Sequence, residues 1–222
     1  INGEVHVKNT DINAKFIVNA AGASSVKIAR KLGIAKNYRL VPFKGTYIGS
    51  MKMSQVLTRL VYPVPHPINP FLGVHFTKTI SGQIKIGPTA IPVLGSAKYR
   101  FLDKPHLQEA IETIFGISSV LKGNTHDISE ILKSEFPKLL RHTLVKEASQ
   151  LVPIAKEFSD WTKLKSGIRA QLVNINDGRM EQDFIVENLS NSTHVLNMVS
   201  PGWTSSLAFS KYVIENFINP SL

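Results

Sequence analysis

The sequence predicts an α+β fold in which a mixed or antiparallel sheet carries helices on one face. Short apolar stretches with alternating polar residues, typical of strands, dominate both ends of the chain. Between them, residues 103–152 change to the three-to-four-residue spacing of apolar side chains that indicates helices. Four prolines lie close together N-terminal to this helical region; they are Pro63, Pro65, Pro67 and Pro70. They exclude a helix or a central strand there and indicate a stiff loop that shapes a site.

Length and composition are those of a globular protein. The 222 residues suffice for one large or two small domains, and 43% of them are hydrophobic while 19% are charged. No apolar run approaches the roughly 18 residues of a membrane span. Zero cysteines exclude disulfides and thiolate metal sites. The net charge of +10 is spread over single cations, which argues against a specific nucleic-acid partner and favours anionic ligands.

The N-terminal region predicts a strand, a turn and a capped helix. Residues 1–9 alternate as a strand, residues 10–13 predict a turn, and residues 16–18 predict a short buried strand. Small residues follow at 19–22, after which Ser24 is expected to cap a helix that runs to about Leu32. Such a turn lets the backbone approach a phosphate or ribose, although it also serves plain packing.

The next part of the chain predicts strands around the proline loop. Residues 38–50 are strand-rich, with a bend expected at Lys44. After the loop and the apolar residues 71–74, His75 and Thr77 alternate with Val74 and Phe76, so we expect the two polar side chains on one strand face. A turn at Gly82 and a second strand at 83–86 follow. A histidine in such a strand is either catalytic or a hydrogen-bonded structural residue.

The helical block and the C-terminal region complete the predicted fold. Three helices are expected from the apolar stripes at 107–114, 128–132 and 144–152. These helices show no spacing typical of metal ligands. His106, His126 and His142 are expected at the surface. Strands are predicted at 166–173 and 193–198. A final helix, capped by Thr204 or Ser205, is expected to turn its apolar side chains inward; these are Leu207, Ile214, Phe217 and Ile218.

Three stretches together resemble the L-2-hydroxyglutarate dehydrogenase and oxidase family, FAD enzymes of the D-amino-acid-oxidase-like flavoprotein superfamily. They read YPVPHPINPFLGVHFT, GQIKIGPTA and SGIRAQLV. A fourth stretch, FIVNAAGASS, resembles the strand-to-helix turn that lies by the FAD in two-dinucleotide-binding-domain flavoproteins. Four positions differ from the family pattern: Thr46 replaces an acidic residue, Thr89 replaces an asparagine, and Gly202-Trp203 replaces Ala-Ala. The N-terminal GxGxxG element of the family is absent, so we expect the chain to be the C-terminal part of such an enzyme.

The resemblance implies a set of site residues. His75 is the expected base, since the ordinary pKa of histidine suits that role near neutrality, and Arg169 is expected to hold the substrate carboxylate, the alternative for Arg169 being a surface ion pair. Tyr62, Lys44 and Thr77 are expected to help bind substrate. The residues expected near FAD are Asn19, Ala21, Gly22, Gly167, Gly202, Thr204 and Ser205.

The resemblance also implies the domain organisation and the reaction. Residues 41–163 are expected to form the substrate-binding domain, with 1–40 and 164–222 belonging to a discontinuous FAD-binding domain. The expected reaction is oxidation of an L-2-hydroxy acid, L-2-hydroxyglutarate first, with oxygen or a quinone as electron acceptor. The alternatives are an amino-acid or glycerol 3-phosphate oxidase, or an inactive basic fragment. The expected location is the cytoplasm, with peripheral contact to the inner membrane, or the mitochondrion in a eukaryote.

Overall fold

The protein is described by a computed structural model that covers residues 3–7, 10–64, 71, 73–95, 107–123, 128–199 and 202–221. Its strands are β1 (Gly3–Val7), β2 (Thr10–Ala14), β3 (Ile17–Asn19), β4 (Tyr38–Gly45), β5 (Ile48–Ser50), β6 (His75–Lys78), β7 (Ile84–Gly87), β8 (Ile91–Pro92), β9 (Thr162–Lys163), β10 (Gly167–Asn174), β11 (Ile185–Leu189) and β12 (Ser192–Asn197). Its α-helices are α1 (Ser25–Lys31), α2 (Leu107–Gly123), α3 (Ile128–Glu135), α4 (Arg141–Leu151) and α5 (Ser206–Val213).

These strands form four sheets among the described residues. β1 and β2 make an antiparallel hairpin, and β4 lies between β10 and β8 in an antiparallel sheet. β12 lies between β11, to which it is antiparallel, and β3, to which it is parallel. The fourth sheet, antiparallel throughout, has the order β6-β7-β5-β9. The predicted α+β class with mixed and antiparallel sheets is confirmed.

The long ladder between β4 and β10 joins an N-terminal strand to a strand far along the chain. All eight residues of β4 pair with β10, so that Phe43 lies opposite Arg169 and Lys44 opposite Ile168. Because side chains alternate along a strand, Arg169 and Phe43 share one face while Lys44 lies on the other. α2 packs on the Phe43 face and α1 on the opposite face, each burying its own apolar cluster.

The fourth sheet has one apolar and one polar face. Phe76, Ile84 and Ile86 are fully buried beneath Leu144 and Ala148 of α4. The alternation therefore directs His75, Thr77 and Lys85 to the opposite face of the same sheet. The predicted alternation of His75 and Thr77 with Val74 and Phe76 is confirmed. The prolines at 65, 67 and 70 lie outside the described residues.

Two N-terminal expectations are wrong. The predicted turn at residues 10–13 is instead strand β2, which pairs with β1 in register from Val7↔Thr10 to Gly3↔Ala14. The strand predicted at 16–18 forms as β3, but Val18 is 49% exposed and only Asn19 is buried. β3 pairs with β12 alone among the described strands, so its other edge has no partner among them.

Two helices expose residues that the apolar spacing assigned to the core. α2 buries its small side chains Ala110, Thr113 and Gly116, whereas Leu107, Ile111 and Ile114 are exposed. Gly116 explains this choice, because a Cβ there would lie 2.5 Å from Val41 of β4. At the C-terminus, Leu207 and Ile214 are exposed while Val213 is buried, so the inward face of α5 was also predicted wrongly.

The predicted positions of two helix starts are confirmed, but the predicted side-chain capping is wrong. Ser24 precedes α1 and Ser205 precedes α5, but neither side chain makes a capping hydrogen bond. α5 continues from Val213 into a π-helical turn at Ile214–Ile218. The third predicted helix is α4, which ends at Leu151 shortly before Pro153. His142 is exposed as expected, and His106 and His126 lie outside the described residues.

Candidate functional site

His75 begins strand β6 and has one ring nitrogen fixed by the backbone. Nδ1 lies 2.9 Å from the carbonyl oxygen of Gly73. A carbonyl oxygen only accepts hydrogen bonds, so Nδ1 carries the proton and Nε2 of the neutral ring holds a lone pair. The ring stacks on Tyr62 with centroids 4.5 Å apart. Burial lowers the pKa of His75; the Gly73 hydrogen bond raises it and the positive charge of Lys85 lowers it further. His75 is therefore suited to accept a proton.

Tyr47 connects the surroundings of His75 to those of Arg169. Gly87 lies opposite His75 in the β6–β7 ladder. A Cβ on Gly87 would meet the Tyr47 ring at 2.7 Å, so the ring lies directly against this glycine. Burial raises the pKa of the Tyr47 phenol, while the positive charge of Arg169 acts in the opposite direction. Tyr47 therefore lies against Gly87, the residue paired with His75, and close enough to Arg169 to be affected by its charge.

Arg169 on β10 is held against an aromatic ring. Its guanidinium lies 5.3 Å from the centre of the Phe71 ring, which in turn contacts Phe43. Burial lowers the pKa of Arg169 and Tyr47 acts to raise it, but an arginine stays charged at physiological pH. Within the described ranges, no carboxylate forms a salt bridge with Arg169. The predicted alternative, a surface ion pair, is not seen among these residues.

The three expected substrate-binding residues fall in different places. Thr77 is two residues from His75 on the same strand face, and Tyr62 is the residue stacked on the histidine. Lys44 is buried and pairs with Ile168 and Ile91, on the ladder face opposite Arg169. The structure therefore brings Thr77 and Tyr62 to His75 and does not bring Lys44 to the face of Arg169.

Asn19 belongs to a buried polar cluster at the end of β3, to which the exposed Ala21 contributes only its backbone N–H. The Asn19 side-chain amide donates to the Ser25 carbonyl at 2.8 Å and lies 2.9 Å from Nδ1 of His194. Its oxygen accepts from the Ala21 backbone N–H at 3.3 Å. His194 in turn lies 3.0 Å from the Ser192 hydroxyl through Nε2. This cluster fixes the strand-to-helix turn that contains Gly22.

The glycines expected near the cofactor differ in the space around them. Gly22 has φ +54, and neither Gly22 nor Gly167 has a heavy atom within 4 Å of where a Cβ would stand. Both backbones are thus open to a ligand. Gly202 is different, because a Cβ there would meet Met198 and Val199 at 2.9 Å. Packing within its own turn accounts for that glycine. Thr204 and Ser205 follow Trp203 and directly precede α5.

A separate cavity of about 600 Å³ lies between α1, β4 and α2. Arg30 and Arg39 converge there on one oxygen of Glu112, at 2.7 and 2.5 Å. The cavity shares no lining residue with the group around His75. In the part of the chain that the structure describes, no helix has both the length and the apolarity to cross a bilayer.

Two residues of the site, Tyr47 and Lys85, were not identified from the sequence. Lys85 lies opposite Thr77 in the hairpin, and its Nζ is 4.1 Å from the centre of the Tyr47 ring. The alternation of the GQIKIGP strand carried a signal for Lys85, since it separates the lysine from the core residues Ile84 and Ile86. Nothing local in the sequence indicated Tyr47, which reaches the site through the packing of β5 and β7.

Comparisons with known proteins show the family to which the chain belongs. The sequence profile of the DAO family, described as FAD dependent oxidoreductase, matches residues 1–216. An L-2-hydroxyglutarate dehydrogenase of Indibacter alkaliphilus is 31% identical over 216 residues, covering 95% of this chain and 52% of that protein. The mitochondrial L-2-hydroxyglutarate dehydrogenase of Mus musculus is also 31% identical, covering 97% of this chain and 47% of its own length. The chain therefore spans about half the length of these relatives.

A solved structure shows the same fold. L-alpha-glycerophosphate oxidase from Mycoplasma pneumoniae, dithionite-reduced and with FAD bound, superposes with a TM-score of 0.56 over 91% of this chain and 42% of that chain. Its sequence identity is 19%, so the likeness concerns the fold alone. Because the family profile spans residues 1–216 and a relative at 31% identity covers 95% of the chain, this protein belongs to the DAO family of FAD-dependent oxidoreductases.

Proposed function

We propose that the whole protein to which this chain belongs uses FAD to oxidise L-2-hydroxyglutarate to the 2-oxo acid. The observation that supports the proposal is the position of Tyr47, which lies against Gly87 opposite His75 and within the electrostatic range of Arg169. A base with a free lone pair and a cation without a carboxylate partner among the described residues suit a 2-hydroxy acid. The dehydrogenase names of the relatives from Indibacter alkaliphilus and Mus musculus support the same substrate.

His75 is the proposed base. Oxidation of a 2-hydroxy acid removes the hydroxyl proton and the hydrogen of the α carbon together with two electrons, and a C=O bond forms. Nε2 of His75 accepts the hydroxyl proton, since Nδ1 already donates to Gly73. The Tyr62 ring fixes the plane of the imidazole by stacking. The lowered pKa keeps the ring neutral, and so able to accept a proton, near pH 7.

Arg169 is the proposed partner of the carboxylate next to the hydroxyl. A guanidinium binds a carboxylate through two parallel N–H···O bonds, which fixes both position and orientation. Contact with Phe71 holds the guanidinium in place without using an acidic side chain. Desolvation by burial strengthens its attraction for a bound anion. Substrate orientation of this kind is a main source of rate enhancement.

The residues around β3 fit FAD. The open backbone at Gly22 and Gly167 provides room for a close approach, and Asn19 fixes the turn that contains Gly22. We propose that FAD contacts these residues together with Ala21, Gly202, Thr204 and Ser205. When bound, FAD supplies the two-electron acceptor for the reaction. The edge of β3 that has no partner among the described strands is where we expect the rest of the dinucleotide-binding sheet, within a discontinuous domain formed by residues 1–40 and 164–222 around a substrate domain at 41–163.

The electron acceptor and the location stay predictions. Oxygen and a quinone are the two candidates for reoxidising FAD. Contact with the surface of a membrane is compatible with the net charge of +10. The relative from Mus musculus is mitochondrial by name.

Steady-state assays of the whole FAD-loaded protein test the proposal. Turnover is measured with L-2-hydroxyglutarate, L-glutamate or glycerol 3-phosphate as the substrate. An artificial electron acceptor is present in every assay, so the natural acceptor is not needed. We expect turnover with L-2-hydroxyglutarate alone. Turnover with L-glutamate or glycerol 3-phosphate in its place would show the proposed substrate to be wrong. Absence of FAD binding by the whole protein would support the alternative of an inactive binding protein.

A further inference from the structure

The polar face of the β6–β7 hairpin carries a second place for an anion. Thr77 and Lys85 lie directly opposite each other in the ladder. Both are on the face of His75, because Phe76, Ile84 and Ile86 occupy the buried face. Directly opposite side chains in an antiparallel pair lie about 4.5–5.5 Å apart at Cβ, close enough to contact one small group.

Thr77 contributes an unsatisfied hydroxyl. Its Oγ1 is buried and makes no hydrogen bond within the described part of the chain. A buried polar atom without a partner destabilises a folded protein, so such atoms are rare and indicate a missing ligand or water. A hydroxyl can donate to a carboxylate oxygen. Thr77 therefore has one donor available to a bound anion.

Lys85 contributes a cation. Its Nζ lies above the Tyr47 ring at 4.1 Å from the centre, and no acidic side chain of the described ranges pairs with it. Lys85 thus contacts the Tyr47 ring, and Arg169 is close enough to act on the same tyrosine through its charge. This arrangement suits a small molecule with an anionic group at each end.

We infer that Lys85, assisted by Thr77, determines specificity by binding the second carboxylate of a dicarboxylic 2-hydroxy acid. Arg169 binds the carboxylate next to the hydroxyl, and Lys85 binds the distal one. The inference rests on the proposed function for the identity of the reacting end. The role inferred for Lys85 concerns only the preference for a diacid over a monoacid of equal length.

The test compares L-2-hydroxyglutarate with L-2-hydroxyvalerate, which has the same five carbons and lacks the distal carboxylate. In the whole FAD-loaded protein, Lys85→Met is expected to lower the ratio of kcat/KM for the diacid over the monoacid by about 10- to 100-fold, as for loss of a charged hydrogen bond. Thr77→Val is expected to lower it several-fold, and Lys85→Arg to retain most of it. Lys78→Met is the matched control, because Lys78 is an exposed lysine of the same hairpin opposite Ile84.

Calorimetric binding of the unreactive acids glutarate and valerate separates this inference from the proposed function. The wild-type protein is expected to bind glutarate more tightly, and Lys85→Met to remove the difference. If glutarate is preferred in this way but nothing is oxidised, the proposed function fails and the inference stands. Equal binding of the two acids by the wild type, or an unchanged preference in Lys85→Met, would overturn the inference.

Discussion

The hydroxyl of Thr89 lies 3.0 Å from the backbone nitrogen of Thr46 and 3.0 Å from its hydroxyl. Both threonines are buried. They occupy two of the positions at which the sequence differs from the family that it resembles. The two differences therefore form a single contact, in which Thr89 accepts the hydrogen bond that satisfies the Thr46 N–H. This contact precedes Tyr47 directly and so supports the candidate site.

Loss of the Thr89 hydroxyl is expected to destabilise the fold. Thr89→Val keeps the volume but leaves the buried Thr46 N–H without an acceptor, which lowers the free energy of unfolding by about 1–3 kcal/mol. Thr89→Ser keeps the hydroxyl and is the control. Urea unfolding of the purified protein measures both. A larger loss in the serine variant than in the valine variant would show that the methyl group, and not the hydrogen bond, matters.

Gly87 is expected to tolerate no side chain. Its φ is +136, and a Cβ would lie 2.6 Å from the Thr46 carbonyl oxygen and 2.7 Å from the Tyr47 ring. Gly87→Ala should therefore lower the free energy of unfolding by more than about 2 kcal/mol and displace Tyr47. Gly82→Ala is the matched control, since Gly82 has φ +85 but open space around it. Its expected loss is about 1 kcal/mol. Thermal unfolding compares the two, and equal losses would contradict a steric role for Tyr47.

Acid is expected to destabilise the fold through His194. Burial lowers the pKa of this histidine, whose ring lies between Asn19 and Ser192. Below about pH 6.5 the unfolded chain binds a proton that the folded chain excludes, so the free energy of unfolding falls as pH decreases, by at most about 1.4 kcal/mol per pH unit. His194→Gln should show a shallower fall between pH 6.5 and 5 in urea titrations. Identical slopes would assign the acid sensitivity to other groups.

The activity of the whole enzyme is expected to depend on the protonation of His75. Because burial, with a further contribution from Lys85, lowers the pKa of His75, kcat/KM should fall below an apparent pKa under 6.5. Removing the charge with Lys85→Met should move this limb to higher pH. The pH profiles of the two proteins give the comparison. A limb that does not move would place the titrating group away from Lys85.

The sequence predicted the positions of strands and helices better than it predicted which side of each is buried. The alternation around Phe76 placed His75 and Thr77 correctly, because a strand with one buried face has a strict period of two. In α2 the same reasoning failed. Gly116 and Ala110 allow the helix to lie close to β4, and the larger Ile111 and Ile114 are exposed as a result. Small residues at a close contact outweigh hydrophobicity there.

The sequence predicted the candidate-site residues that share one strand. It missed a residue that reaches the site through contacts between different elements. Tyr47 enters through the pairing of β5 with β7, a contact over a separation of nearly forty residues that no local pattern shows. Lys44 was assigned to the site by resemblance, but the ladder with β10 puts it on the other face from Arg169. Only the register of paired strands decides such positions.

The central claim is that His75 and Arg169 act on the same substrate molecule. A double-mutant cycle in kcat/KM for L-2-hydroxyglutarate, with His75→Asn, Arg169→Met and both together in the FAD-loaded whole protein, tests it most directly. Each single variant is expected to lose about 100-fold or more in kcat/KM while its FAD content stays unchanged. The double variant is expected to lose much less than the product of the two single losses. Single losses that multiply, or a single variant with wild-type kcat/KM, would contradict it.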